Sequence, residues 1–133
     1  MIMHKLNWRE SLGWSEEILE EMRSAGYAYI RQGKYEIALP FFEALCVLDP
    51  ESAYDAQTLG ALYLQSNNAA KALKCFDKAL KIEGDHSPTL LNLAKALFML
   101  GKKEEGLKVA NILKNEANAA ISNVAKALIL AHS

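Results

Sequence analysis

Gly26 and Gly60, Tyr29 and Tyr63, Ala38 and Ala72, and Phe42 and Phe76 form four identical pairs, each separated by 34 residues. A chain that repeats at this interval builds one small unit several times, and each unit buries its apolar face only against its neighbours. Laying the second copy on the first also sets Leu45 on Ala79 and Pro50 on Gly84. A third, weaker copy supplies Leu93, Ala94, Leu97, Gly106 and Ala110, with Gly101 falling on Gly33. Each recurring residue type suits a job in a pair of crossing helices. Gly26, Gly60 and Ala94 let the two helices of one unit approach, and Ala38, Ala72 and Gly106 give the opposing small surface. Phe42 and Phe76 are expected to plug the gap to the next unit, with Ala110 a poorer filler in the third.

The punctuation between apolar stretches agrees with helices near residues 16–31, 35–48, 51–66, 69–82, 88–100 and 103–115. Gly33, Gly101 and the Asn67-Asn68 pair can take the left-handed conformation that stops a helix. Asp49-Pro50 and Ser87-Pro88 read as N-caps followed by proline at the first helical position. The period and the helix–turn–helix pattern are those of tetratricopeptide repeats. The expected fold is all-α: three tetratricopeptide repeats over about 16–49, 50–83 and 84–117, then a capping helix over about 118–131. Such an array is a right-handed superhelix with a concave groove. The repeat domain spans 15–133, and 1–14 is an N-terminal segment or short helix, with Asn7 and Glu10 at capping-box spacing and Trp14 able to staple onto Leu19. Trp8, Leu12 and Trp14 either cover the first helix or contact a second subunit.

Composition narrows the function classes. The chain of 133 residues is 51% hydrophobic and carries 15 basic and 16 acidic residues, so no basic footprint for nucleic acid is present. Cys46 and Cys75 sit in apolar helical patterns and read as small buried hydrophobes. His4, His86 and His132 lack partners at metal-ligand spacing, and no metal or cofactor is expected. The start, MIMHKLNWRE, lacks the apolar stretch of a signal peptide, and no window has the length of a membrane span. A cytoplasmic setting follows as the expectation. No nucleophile–base constellation or phosphate loop is recognisable, so catalysis is not expected.

Function is then sought on the groove, at positions the repeat leaves free. These are Glu20, Arg23, Tyr27, Ile30 and Arg31 in the first unit; Tyr54, Gln57, Ala61, Leu64 and Gln65 in the second; and Pro88, Leu91, Lys95, Phe98 and Met99 in the third. Several are apolar or aromatic without a packing need, which fits a peptide-binding site. The alternative is that the C-terminal helix or the N-terminal segment folds over them. A clamp for the acidic tail of heat-shock proteins needs Lys and Asn at set positions, and Arg23, Tyr27, Thr58, Pro88 and Asn92 do not supply it. Replacing Tyr54 and Phe98 by Ala is expected to weaken binding and leave melting largely intact.

The stretch GYAYIRQGKYEIALPFFEALCVLDP, with the lead-in LGWSEEILEEM, resembles the first repeat of type III secretion chaperones of the translocator class, over roughly residues 10–115. The resemblance implies a cytoplasmic, non-enzymatic chaperone that holds a secreted substrate in its groove and keeps it export-competent. It implies pocket walls at Tyr27, Tyr54, Leu64, Leu91 and Phe98, and a possible homodimer through Trp8, Leu12 and Trp14. The cargo is a translocator, a needle subunit or an effector. A general tetratricopeptide scaffold joining parts of an assembly is the competing reading.

Overall fold

A computed structural model describes residue 13 and residues 15–133. The expected capping box at Asn7 and Glu10, the Trp14 staple, and the dimer contact at Trp8, Leu12 and Trp14 lie outside the described residues. Among the described residues the chain forms seven helices: α1 (Glu16–Arg31), α2 (Tyr35–Leu48), α3 (Ala53–Gln65), α4 (Ala69–Ile82), α5 (Ser87–Met99), α6 (Lys103–Leu113) and α7 (Ala119–His132). The fold is all-α, of tetratricopeptide type. Successive helices pack on one another as hairpins, α3 also touches α5, and α7 closes on both α5 and α6.

The turns follow the local chemistry. Gly33, Gly101 and Asn67 all have positive φ (74°, 77° and 62°) where α1, α5 and α3 stop. Ser15, Ser52, Asn68 and Asn118 cap α1, α3, α4 and α7 by accepting backbone N–H groups with their side chains. Two expected caps move. Asp49 ends α2 rather than starting α3, whose cap is Ser52, and Pro50 lies in the turn. The cap of α5 is His86, so Ser87 is already helical. Ser52 displaces Asp49 because its hydroxyl reaches the N–H of Asp55, while the Asp49 carboxylate is engaged by Arg23. Pro40 stands inside α2 on its exposed side, where its missing N–H forfeits one helical bond. The buried face of α2, with Ala38, Phe42 and Leu45 at 0% exposure, holds the helix across it.

The core runs through the first two hairpins, from Leu19 through Phe42 and Leu45 to Leu62, Tyr63 and Phe76. A separate cluster of Leu91, Leu113, Ile121 and Ala125 binds α7 to the third hairpin. The glycines show how closely the helices approach. A Cβ on Gly26 would lie 2.7 Å from the Phe42 ring, and one on Gly60 would lie 2.5 Å from the Phe76 ring. These rings therefore sit on the glycine of their own hairpin, within the core cluster that joins the first two hairpins. In the third hairpin a Cβ on Gly106 would meet Phe98 at 2.7 Å.

Candidate functional site: a groove along α1 and α3

Tyr27 of α1 and Tyr54 of α3 face each other as a stacked pair, with ring centroids 5.8 Å apart and planes 16° from parallel. Each is 38% exposed, so the stack presents aromatic surface to solvent. The Arg31 guanidinium lies 5.8 Å from the Tyr27 centroid, within cation–π range. A cleft of about 600 Å³ is bordered by both rings and lined also by Glu20, Arg23, Ser24, Asp49 and Ser52, among others. Tyr27 also borders a smaller hollow of about 240 Å³ with Ile30, Tyr35, Thr58, Ala61 and Leu62. Gln57 lines that hollow and also a third, of about 90 Å³, between Tyr54 and the start of α5.

The floor of the larger cleft is an ion-pair network. Arg23 Nε and Nη2 donate to the two carboxylate oxygens of Asp55, at 2.8 and 2.7 Å. Nη2 also donates to Asp49 at 2.6 Å, and Nη1 to Glu20 at 2.6 Å, with Glu16 at 3.6 Å. Asp55 is wholly buried and the Arg23 side chain is 12% exposed. The Asp55 hydrogen bonds raise the Arg23 pKa above the usual guanidinium value, against the opposing effect of burial, and Asp49 adds to them. The two-point contact locks α1 to the start of α3 and holds Tyr27 and Tyr54 in register. Arg23 is thus a structural hub, with Nε and Nη2 on Asp55 and Asp49 and Nη1 on the exposed Glu20.

A second polar link crosses from α3 to α5. Thr89, 2% exposed, donates to Gln57 Oε1 at 3.1 Å and lies 2.8 Å from His86 Nδ1. The Thr89 hydroxyl thereby joins Gln57 of α3 to His86 at the cap of α5. The Tyr63 hydroxyl donates to Glu43 at 2.8 Å, tying α3 to α2; burial first, and this bond second, raise its pKa. Burial likewise pushes the Cys46 thiol up to about 12 and the Cys75 thiol to about 11. Among the described residues no group of three His, Cys, Asp or Glu side chains could hold a metal ion, and no helix is long and apolar enough to cross a membrane.

The structure brings Arg23, Tyr27, Ile30, Tyr54, Gln57 and Ala61 together along the α1–α3 groove. Leu64 is half-buried against the core. The third-hairpin residues are placed differently. Leu91 is buried under α7, and the Phe98 ring stacks on His132 with centroids 3.9 Å apart and planes 4° from parallel. Lys95 is half-buried and borders none of these hollows. Sequence reasoning took Asp49 only as a helix cap and passed over Asp55 and Tyr35. Asp55 carried one signal, as a lone charge in the otherwise uncharged helix AYDAQTLGALYLQ.

Helix hairpins in register, with an aromatic groove across their leading helices, define a tetratricopeptide-repeat protein. The family model for anaphase-promoting complex, cyclosome, subunit 3 matches residues 31–112. That is more than half of the chain, and the chain belongs to this family. Solved structures with this fold include PcrH of Pseudomonas aeruginosa in complex with the chaperone binding region of PopD. It is 26% identical, covers 90% of this chain and 93% of its own, and has a TM-score of 0.78. The type III secretion chaperone SycD of Yersinia enterocolitica, in complex with a peptide of the translocator YopD, is 23% identical over 90% of this chain and 98% of its own, with a TM-score of 0.76. Superkiller complex protein 3 of Mus musculus is 29% identical over 79 residues, 59% of this chain. The chain spans about 5% of the length of that curated relative.

Proposed function

We propose that this protein is a cytoplasmic chaperone of a type III secretion system, binding a segment of an export substrate in the α1–α3 groove. The carrying observation is the exposed Tyr27–Tyr54 stack with two hollows that Tyr27 borders. Exposed aromatic surface beside concave walls suits an extended or helical segment of another protein, whose apolar side chains would otherwise drive aggregation. The likeness to PcrH, bound in its structure to the chaperone binding region of PopD, supports the reading. The work is sequestration rather than catalysis. In this reading residues 16–117 are three repeats, 118–131 is their closing helix, and Trp8, Leu12 and Trp14 offer a homodimer contact.

A translocator encoded in the same cell, co-expressed with this chain, is expected to stay in the supernatant with the wild type. It is expected to pellet with a Tyr27→Ala, Tyr54→Ala variant whose thermal melting is unchanged. A translocator kept soluble by the double variant removes the groove assignment. The match to Superkiller complex protein 3 favours, as a second reading, a scaffold that docks a folded partner. Limited proteolysis of the complex separates the two: a short protected peptide marks the chaperone, and a protected domain marks the scaffold.

A further inference from the structure

Helix α7 carries apolar side chains on two opposite faces. Its inner face, with Ile121, Ala125 and Leu128, packs with Leu91 and Leu113. Near its start the Ser122 hydroxyl donates to the Lys114 carbonyl at 2.6 Å, and at its end His132 stacks on Phe98, so the rotation of the helix is set. The outer face presents Val124, Ala127 and Leu130 to solvent, Leu130 at 82% exposure. Steps of 34 residues place these three on Ala56, Leu59 and Leu62 of α3, all buried, and on Leu90, Leu93 and Ala96 of α5, each buried or half-buried. Positions covered in two leading helices are therefore open in α7. Helices α1, α3 and α5 each pack on a trailing helix, and α7 has none among the described residues. A solvent-facing side of a closing helix is expected to be polar. The solvent side of α4 is charged, with Lys74, Asp77 and Lys78, whereas the only Asp, Glu, Lys or Arg in α7 is Lys126.

We propose that the outer face of α7 pairs with the same face of a second copy of this chain, the two helices antiparallel about a two-fold axis at Ala127. The contact is separate from the N-terminal one and from the groove reading, and stands or falls on its own. Self-complementarity selects a second copy. Val124 and Leu130 lie three residues to either side of Ala127. The axis therefore brings Val124 of one copy level with Leu130 of the other, and the small Ala127 at the centre lets the helices approach. An isologous contact sets each charge against its own sign, so it suits a neutral strip. Lys126 lies about 100° around the helix from Ala127, at the edge of the strip, and the polar residue on the strip, Asn123, is uncharged. The helix is about 21 Å long. One such pair falls short of a standard interface, so the dimer is reversible and depends on concentration.

Sedimentation velocity on the full chain, over about a hundred-fold range of concentration, tests the proposal. The wild type is expected to pass from monomer to dimer. Ala127→Glu and Ala127→Lys should each weaken association at least about five-fold, because like charges then meet on the axis. An equal mixture of the two variants should associate again, as a heterodimer with opposite charges on the axis. Ala127 is exposed, so thermal melting of either variant at low concentration should match the wild type. Lys74→Glu, on the charged side of α4, should leave association unchanged. A wild type that stays monomeric throughout overturns the proposal, and so does a mixture of the two variants that fails to associate. Association that survives Ala127→Glu and is lost with Trp8→Ala puts the contact at the N-terminal segment and overturns it as well.

Discussion

In the first two hairpins a glycine of the leading helix receives a phenylalanine from the trailing one, Phe42 at Gly26 and Phe76 at Gly60. In the third hairpin the direction reverses: Phe98 of the leading helix lies on Gly106 of the trailing one. The trailing position that held phenylalanine is now Ala110, fully buried, and Ala94 stands where the glycines were. Phe98 is thereby committed to packing, and its ring is also stacked on His132 of α7. The front two hairpins keep their aromatic groove residues exposed, whereas the third commits its own to closing the array. A repeat position free of packing duty in one unit is thus not free in every unit, because the end of an array must cover its apolar face.

Phe76→Ala gives the largest expected effect, about 3–5 kcal/mol by urea denaturation, since its ring is wholly buried in the main core. Phe98→Ala is expected to lower stability by less, because Phe98 is only half-buried. It should nevertheless lower it measurably, in contrast to the expectation from sequence that melting would stay intact. Equal losses at the two sites, or none at Phe98, would break the contrast between front and back.

Arg23→Ala comes next. It leaves the buried Asp55 carboxylate without its two-point partner, and breaking such a pair costs about 3 kcal/mol. Asp55→Ala should be similarly destabilising. A double Arg23→Met, Asp55→Leu variant should recover much of the loss, because it removes both charges together. A double variant no more stable than the singles would show that the network does more than satisfy its own charges.

The smallest effect is kinetic. With the Cys46 thiol pushed up to about 12 and Cys75 to about 11, both by burial, little thiolate exists near neutral pH. Iodoacetamide labelling of the native protein at pH 8 should run at least about 100-fold slower than that of an unhindered thiol, and should accelerate with rising pH. Phe98→Ala should leave these rates unchanged if the front and back hairpins open separately. Faster labelling in that variant would show that they are coupled.

Much of the fold is legible in the residues. Helices α1, α2 and α4 begin and end where periodicity and turn residues put them, and Gly33, Gly101 and Asn67 take the positive φ that their positions require. The misplaced starts of α3 and α5 share a cause. Asp-Pro and Ser-Pro are good local cap signals, but Asp49 is claimed by Arg23 and Ser87 by Glu116, whose Oε1 accepts from its hydroxyl at 2.9 Å. A cap signal is local, whereas these partners lie 26 and 29 residues away. The groove was partly legible for the same reason. Tyr27 and Tyr54 stand at positions that the repeat assigns to the groove face of its leading helices; Asp55 and Asp49 stand at positions it does not assign there.

The sequence by itself determined the helical hairpins, their order and the small residues at their crossings. These follow from a 34-residue period, and every copy of a repeat obeys the same local geometry. The tertiary structure alone decided which groove positions stay open. Arg23 turns inward to Asp55, Leu91 goes under α7, Phe98 packs on Gly106 and His132, and the Tyr27–Tyr54 stack faces solvent. Those outcomes depend on single, non-repeating partners from other helices. Periodicity reports what copies share, and the open surface is set by where they differ.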